Sequence, residues 1–291
     1  MSSVSSVVNA VEKRCGSLLL AAVLATAPEA GAQDMRSRAA AAAALPREER
    51  GKPLLGAREA YLALGFAAAT VAVAPLDANL AERLQSPRAQ ANRFFGGAAT
   101  GFRFLGVPGA FVIGSGLYAA GRATDSRPLA LIGLRSAEAV VLGGSITLLT
   151  KGLAGRARPY ASADTSPRDF RFGRGFRGDD HASFPSGHAS AAFAAATAAT
   201  SEVARHWPRA RWYVGPALYG GAMMVGLSRM YNNKHWASDV AVGAAVGTFS
   251  GLTVVRYHRA NPNGRLDRAL LRTTVVPGAD GGAVVAWTQA W

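Results

Sequence analysis

SRMYNNKHWASD, running from Ser228 to Asp239, holds four residues whose types and spacing point to one kind of chemistry: Ser228 and Arg229, then His235, then Asp239. An arginine offers a planar fork of donors to two oxygens of an anion. His235 and Asp239 are four apart, which on a helix places them on one face. The carboxylate can then hold the imidazole in the tautomer whose other nitrogen is free to attack. Taken alone, His-x3-Asp is an ordinary surface pair. Upstream, however, 39 residues lie between Pro185-Ser186-Gly187-His188 and Ser228, and 25 lie between Lys151 with Arg158-Pro159 and Pro185. Written as spacings, the blocks are K-x6-R-P, P-S-G-H and S-R-x5-H-x3-D. Eleven specified positions in fixed order weigh far more than any one short motif.

The chemistry follows from the residue types. A phosphoryl group in transfer spreads negative charge over its oxygens, so positioning and electrostatic stabilisation supply most of the catalysis. Lys151, Arg158 and Arg229 answer that need as fixed cations. In Pro185-Ser186-Gly187-His188, proline suits a first helical turn and Gly187 lets the backbone approach an anion closely. Backbone N–H groups at a helix start form an anion site through their unpaired donors and dipole, and the Ser186 hydroxyl adds a donor.

The three blocks resemble the type 2 phosphatidic acid phosphatase and haloperoxidase superfamily, over roughly residues 129 to 258. The resemblance implies an all-α fold of about six helices with the active site at one end. It implies His235 as nucleophile forming a phosphohistidine, His188 as the acid that protonates the leaving oxygen and then activates water, and Asp239 as the group orienting His235. It further implies Lys151, Arg158, Ser186, Gly187 and Arg229 as phosphate ligands. The scheme needs no cofactor and no metal, because the cations replace one. The five histidines, His181, His188, His206, His235 and His258, are scattered, and no zinc-like ligand spacing is present. His181, just upstream of the second block, is within reach of the site, though an ordinary loop role suits it better. The reading is therefore a phosphatase acting on a lipid phosphate, a diphosphate or a small soluble ester. Two alternatives are a vanadium-dependent haloperoxidase, with the same cations holding vanadate, and an inactive structural envelope bundle. The short chain without long insertions favours the phosphatase.

Six apolar, Ala/Leu/Gly-rich stretches without period-two alternation read as helices at about 60–76, 104–120, 129–150, 187–203, 212–227 and 237–255. The tail differs: Thr273 to Val276 and Ala283 to Trp287, around a Pro-Gly-rich turn, read as a short β-hairpin. The domain plan is a signal peptide at 1–32, a linker at 33–52, the helical phosphatase domain at 53–262 and the tail at 263–291. Lys13-Arg14, a short apolar run from Gly16 to Ala27 and Ala30-Gly31-Ala32 give the signal-peptide reading. Cys15 is the single cysteine, so the mature chain has no disulfide.

The net charge of +14 calls for an anionic partner. It is not gathered into one basic run and no nucleic-acid motif is present, so phosphorylated substrate and membrane surface remain and nucleic acid does not. The loop from Tyr160 to Phe184 balances Arg168, Arg171, Arg174 and Arg177 against Asp164, Asp169, Asp179 and Asp180. Arg122, Arg127, Arg205, Arg209, Arg211, Arg256 and Arg259 would suit the cytoplasmic ends of spans. A cleaved signal would then put the three blocks on the wrong side, and Arg135 with Glu138 would lie mid-span. The reading that reconciles these points is export to the cell envelope as a periplasmic bundle, soluble or membrane-associated. An integral membrane protein is the close alternative. Oligomeric state is not readable.

Overall fold

A computed structural model describes residues 56–161, 165–262, 264–277 and 283–287. The expected signal peptide and linker lie outside the described residues. Ten α-helices are described: α1 Ala57–Val73, α2 Asp77–Gln85, α3 Pro87–Gln90, α4 Arg93–Phe104, α5 Val107–Ala123, α6 Arg127–Ala154, α7 Gly187–His206, α8 Arg211–Tyr231, α9 Ala237–Ala260 and α10 Arg265–Arg272. Each of the six expected stretches corresponds to a helix, namely α1, α5, α6, α7, α8 and α9, and the fold is all-α. Helices α2 to α4 were not anticipated, although Ser86-Pro87 and Asn92 signal helix starts. The Asn92 side chain accepts from the N–H groups of Phe94 and Phe95 at 3.0 and 3.3 Å. Of the tail, the backbone of Thr273–Pro277 and Ala283–Trp287 is described as two antiparallel strands, β1 and β2. The turn between them lies outside the described residues.

Helix α7 is the centre of the bundle, packed by α6, α8 and α9. Its inward face is mostly alanine and serine: Ala189, Ser190, Ala191, Ala194 and Ala198 are at most 1% exposed. Helix α9 meets it through Gly243, Gly247 and Gly251, one every four residues. A Cβ on Gly243 would fall 2.5 Å from the Ser186 carbonyl oxygen, and one on Gly247 would fall 2.2 Å from that of Ser190. Backbone therefore touches backbone, as in small-xxx-small packing between membrane helices. This seam sets the starts of α7 and α9 side by side, and so sets His188 near His235.

The outside of the bundle is apolar. Tyr61, Leu64 and Val71 on α1, Phe94 and Phe104 on α4, Val112 on α5, Leu149 on α6 and Tyr213 on α8 are all more than half exposed. Among the described residues, three segments are long and apolar enough to cross a membrane: Ala57–Gln85, α6 and α9. The bent pair α4–α5 makes a fourth if counted as one span. An apolar surface on this scale suits a hydrocarbon solvent, and it supports membrane association. Arg135 and Glu138, the charges that argued against α6 as a span, turn inward. Arg135 donates to Glu138 at 3.0 Å and to Asp267 of α10 at 2.7 Å. His258 faces Glu138 at 3.0 Å and Asp267 at 3.1 Å. This is the usual placement of ionisable groups within a span, paired and facing the protein interior. It also docks α10 onto the bundle, beyond the expected domain end at 262. Glu138, His258 and Asp267 bring three potential metal-ligand atoms within 4.8 Å of one another. Here Arg135 and His258 already engage both carboxylates, so the group is a closed ion-pair network.

If the glycine seam sets the α7–α9 distance, Gly247→Ala costs about 1–3 kcal/mol by overpacking, seen as a lowered thermal midpoint of the purified protein. An unchanged midpoint would show that the seam can open without penalty.

Candidate active site

The three sequence blocks meet where α7 and α9 begin and α6 and α8 end. Lys151 lies in the last turn of α6, and a Cβ on Gly187 would sit 3.7 Å from its Cε. Its Nζ donates to the Ala182 carbonyl at 2.6 Å. Arg229 lies in the last turn of α8 and is buried. Arg158, also buried, donates through Nη1 to the Lys234 carbonyl at 3.1 Å, next to His235. Ser186 caps α7, and its N–H donates to the Asp239 carbonyl at 2.9 Å, tying the second block to the third. Gly187 and His188 then provide the first-turn N–H groups. Burial first, then the positive charges of Arg229, Lys151 and Arg158, hold the His188 imidazole well below the ordinary histidine range.

Two local expectations are corrected. Pro185 precedes the N-cap Ser186 instead of opening the first helical turn. His235 and Asp239 do not share a helix face, because α9 starts only at Ala237, after Trp236 as N-cap. Asp239 is the third helical residue, and its Oδ2 reaches back to accept the Trp236 N–H at 2.9 Å. This capping contact brings the carboxylate to His235, whose Nδ1 stands 3.6 Å from Oδ2 without a hydrogen-bond partner. Catalytic hydrogen bonds are often long in a free enzyme and tighten with substrate.

His235 is almost wholly buried. Burial first, then the positive charges of Lys151, Arg158 and Arg229, hold its imidazole well below the ordinary histidine range. The ring is therefore neutral at pH 7, with a lone pair available. Arg158 also donates through Nη2 to Asp179 Oδ1 at 2.6 Å, and Tyr160 donates to Asp179 Oδ2 at 3.1 Å. Asp179 is exposed, so a carboxylate at the mouth occupies the fork that a phosphate would use. Burial alone would raise the Asp179 carboxyl, but Arg158 and Tyr160 outweigh it and hold it below its usual range. His181 sits on the same 3-10 turn, Asp179–His181, its Nδ1 buried without a partner.

The structure adds residues that the sequence reading passed over. Asp239 is wholly buried, and Ser183 Oγ donates to its Oδ2 at 2.5 Å while Arg156 Nη1 donates to its Oδ1 at 2.5 Å. Arg156 also donates to Asp77, the first residue of α2, at 2.8 Å. Arg156 carried a faint signal, two residues before Arg158 in the first block. Asp77 carried none.

Residues 133–263 match the model of the PAP2 superfamily. Over this segment, a little under half of its length, the chain is similar to the PAP2 superfamily. The lipid A 1-phosphatase of Porphyromonas gingivalis is 48% identical over 84 residues, which is 28% of this chain and 18% of that protein. The chain thus matches under a fifth of that relative's length. A transmembrane PAP2-type phosphatidylglycerolphosphate phosphatase from Bacillus subtilis is 20% identical in structural comparison, with a TM-score of 0.29, covering 67% of this chain and 98% of that one.

A feature of this site not readable from the motifs is Gly106, between α4 and α5. A Cβ there would fall 2.3 Å from the His188 ring. Gly106→Ala is expected to push His188 aside and to lower turnover of a phosphate ester by ~10²-fold, the lower end of what a positioned acid–base group contributes. Wild-type turnover in this variant would show that His188 has room to spare or no part in the reaction.

Proposed function

We propose that the chain is a metal-independent phosphatase acting on lipid phosphates through a phosphohistidine. One observation carries this reading: a neutral, buried His235 stands under three cations drawn from the first and third blocks, with the second block's imidazole, His188, among the same charges. Lys151, Arg158 and Arg229 bind the phosphoryl oxygens, helped by the first-turn N–H groups of Gly187 and His188 and by the Ser186 hydroxyl. Asp239 faces Nδ1 of His235 and favours the tautomer with the proton there, leaving Nε2 to attack phosphorus. As the P–N bond forms, the bond from phosphorus to the ester oxygen breaks, and His188, which takes up a proton once the anionic substrate offsets the surrounding cations, gives that proton to the oxygen. Water then attacks the phosphohistidine, losing its proton to His188. The P–N bond breaks, inorganic phosphate leaves and both histidines are restored. The cations neutralise the charge on the equatorial oxygens, a task that many phosphoryl-transfer enzymes give to magnesium.

Lipid phosphates are favoured over soluble esters because the bundle presents apolar side chains around its girth, bringing a bilayer to the sides of the molecule. The name of the P. gingivalis relative points to the same substrate class.

Purified protein in excess chelator should release phosphate from dispersed phosphatidic acid, and His235→Ala should not. Absence of release from phosphatidic acid and from a soluble aryl phosphate, with halide oxidation on adding vanadate and peroxide, would replace the phosphatase by a haloperoxidase.

The pH dependence follows from the depressed His235. Its neutral form is the active one and persists as pH falls through the ordinary histidine pKa of about 6.5. The acidic limb of kcat/KM, corrected for ionisation of the ester, should therefore have its midpoint below that value. A midpoint at or above it would contradict a desolvated, cation-surrounded nucleophile.

A further inference from the structure

We propose that Arg156 and Asp77 are positioning residues for His235: the Arg156 guanidinium, held between the carboxylates of Asp77 and Asp239, fixes the carboxylate that selects the His235 tautomer. The proposal rests on the reading of His235 as nucleophile. It extends the working site to α2, well upstream of the segment that matches the family.

All five N–H donors of Arg156 have partners. Nε donates to the Pro167 carbonyl at 2.9 Å, and Nη2 donates to the same oxygen at 2.6 Å and to Asp77 Oδ2 at 2.8 Å. Nη1 donates to Asp239 Oδ1 at 2.5 Å and to Ser238 Oγ at 2.8 Å. The guanidinium lies 4.9 Å from the ring centre of Phe170 and 5.7 Å from that of Trp236. Asp77 is tied as fully, its Oδ1 accepting from Ser238 N at 2.9 Å and its Oδ2 from Ser238 Oγ at 2.5 Å. Arg156, Asp77 and Asp239 are each at most 3% exposed.

Three buried charges are a costly way to gain stability, since a well-packed apolar set often does as well. What the arrangement does provide is direction. A guanidinium is rigid and planar, and its two ends reach two carboxylates at once, which a lysine cannot do. With Oδ1 of Asp239 held by Arg156, and Oδ2 held by Ser183 and the Trp236 N–H, the carboxylate cannot rotate. Its Oδ2 edge stays turned towards His235 Nδ1. Asp77 opposes Asp239 across the guanidinium and keeps Arg156 from tilting towards the pocket, where its charge would compete with Arg158 and Arg229 for phosphate.

The test uses full-length protein carrying Arg156→Lys, Asp77→Asn, Asp239→Asn or the pair Arg156→Lys with Asp239→Asn. Fold is checked by circular dichroism, and Asp77→Asn, being isosteric, is retained should Arg156→Lys fail to fold. Turnover of an aryl phosphate is measured alongside the 15N-histidine spectrum of His235. Each of the first two variants is expected to lower kcat by ~10–100-fold, the range typical of groups that orient a ligating or reacting histidine, with KM little changed. His235 should pass from a single Nδ1–H tautomer to a mixture. The double variant should be no slower than Asp239→Asn alone, because both changes remove the same interaction. Wild-type kcat with an unchanged tautomer in the single variants would overturn the proposal, as would losses that multiply in the double variant. If the wild-type protein hydrolyses no phosphate ester, the phosphatase reading falls, and the tautomer measurement then decides the positioning claim by itself.

Discussion

The carboxylate of Asp239 is the constraint on which the rest of the site depends. It is wholly buried, accepts hydrogen bonds from Arg156, Ser183 and the Trp236 N–H, and faces His235. These contacts join the loop after α6, the loop before α7 and the first turn of α9. The Asp239 carbonyl adds a further tie to the Ser186 N–H. A charge so enclosed survives only with its hydrogen bonds complete. The same residue thus closes the pocket floor, caps α9 and faces the imidazole. Loss of one partner would be felt in all three roles.

Above that floor the chain separates two kinds of surface. The helices pack through small residues, Gly243 and Gly247 against the backbone of α7 and Ala189 to Ala198 along it, so that backbones approach closely. Large apolar side chains are turned outward instead. Two clusters of buried polar groups are the pocket at the starts of α7 and α9 and the Arg135–Glu138–His258–Asp267 network that docks α10. Such a distribution suits a bundle whose flanks meet hydrocarbon.

The helices were legible in the sequence wherever composition was uniformly apolar, as in α6, α7 and α9. Helices α2 to α4 were not, because charges and breakers interrupt them and their order comes from caps such as Asn92. The eight residues assigned to the site lie at one end of the bundle because each block sits beside a helix terminus, and terminal position can be inferred from where apolar runs stop. The capping geometry of Asp239 was harder to see, since a four-residue spacing describes a helix face as readily as a cap. Arg156 looked like any cation after a helix, and only Gly155 in the left-handed conformation, φ 57°, turns the chain so that it points inward. Asp77 was beyond reach: 161 residues separate it from Ser238, and no spacing rule relates them. The inward facing of Arg135 and Glu138 was hidden for the same reason, because one partner, Asp267, lies in a tail the motifs did not include.

The central claim is that His235 becomes phosphorylated in a pocket built by the three blocks. The most direct measurement is to mix the protein with 32P-labelled substrate, quench at alkaline pH within the first turnover, and locate the label by mass spectrometry. The account predicts an acid-labile phosphoramidate on His235, formed by wild type and lost in His235→Ala, with His188→Ala still forming it from an aryl phosphate, whose phenolate leaves with little need of a proton, but hydrolysing it slowly. Label on another residue, or turnover with no trapped label even when His188 is replaced, would contradict it.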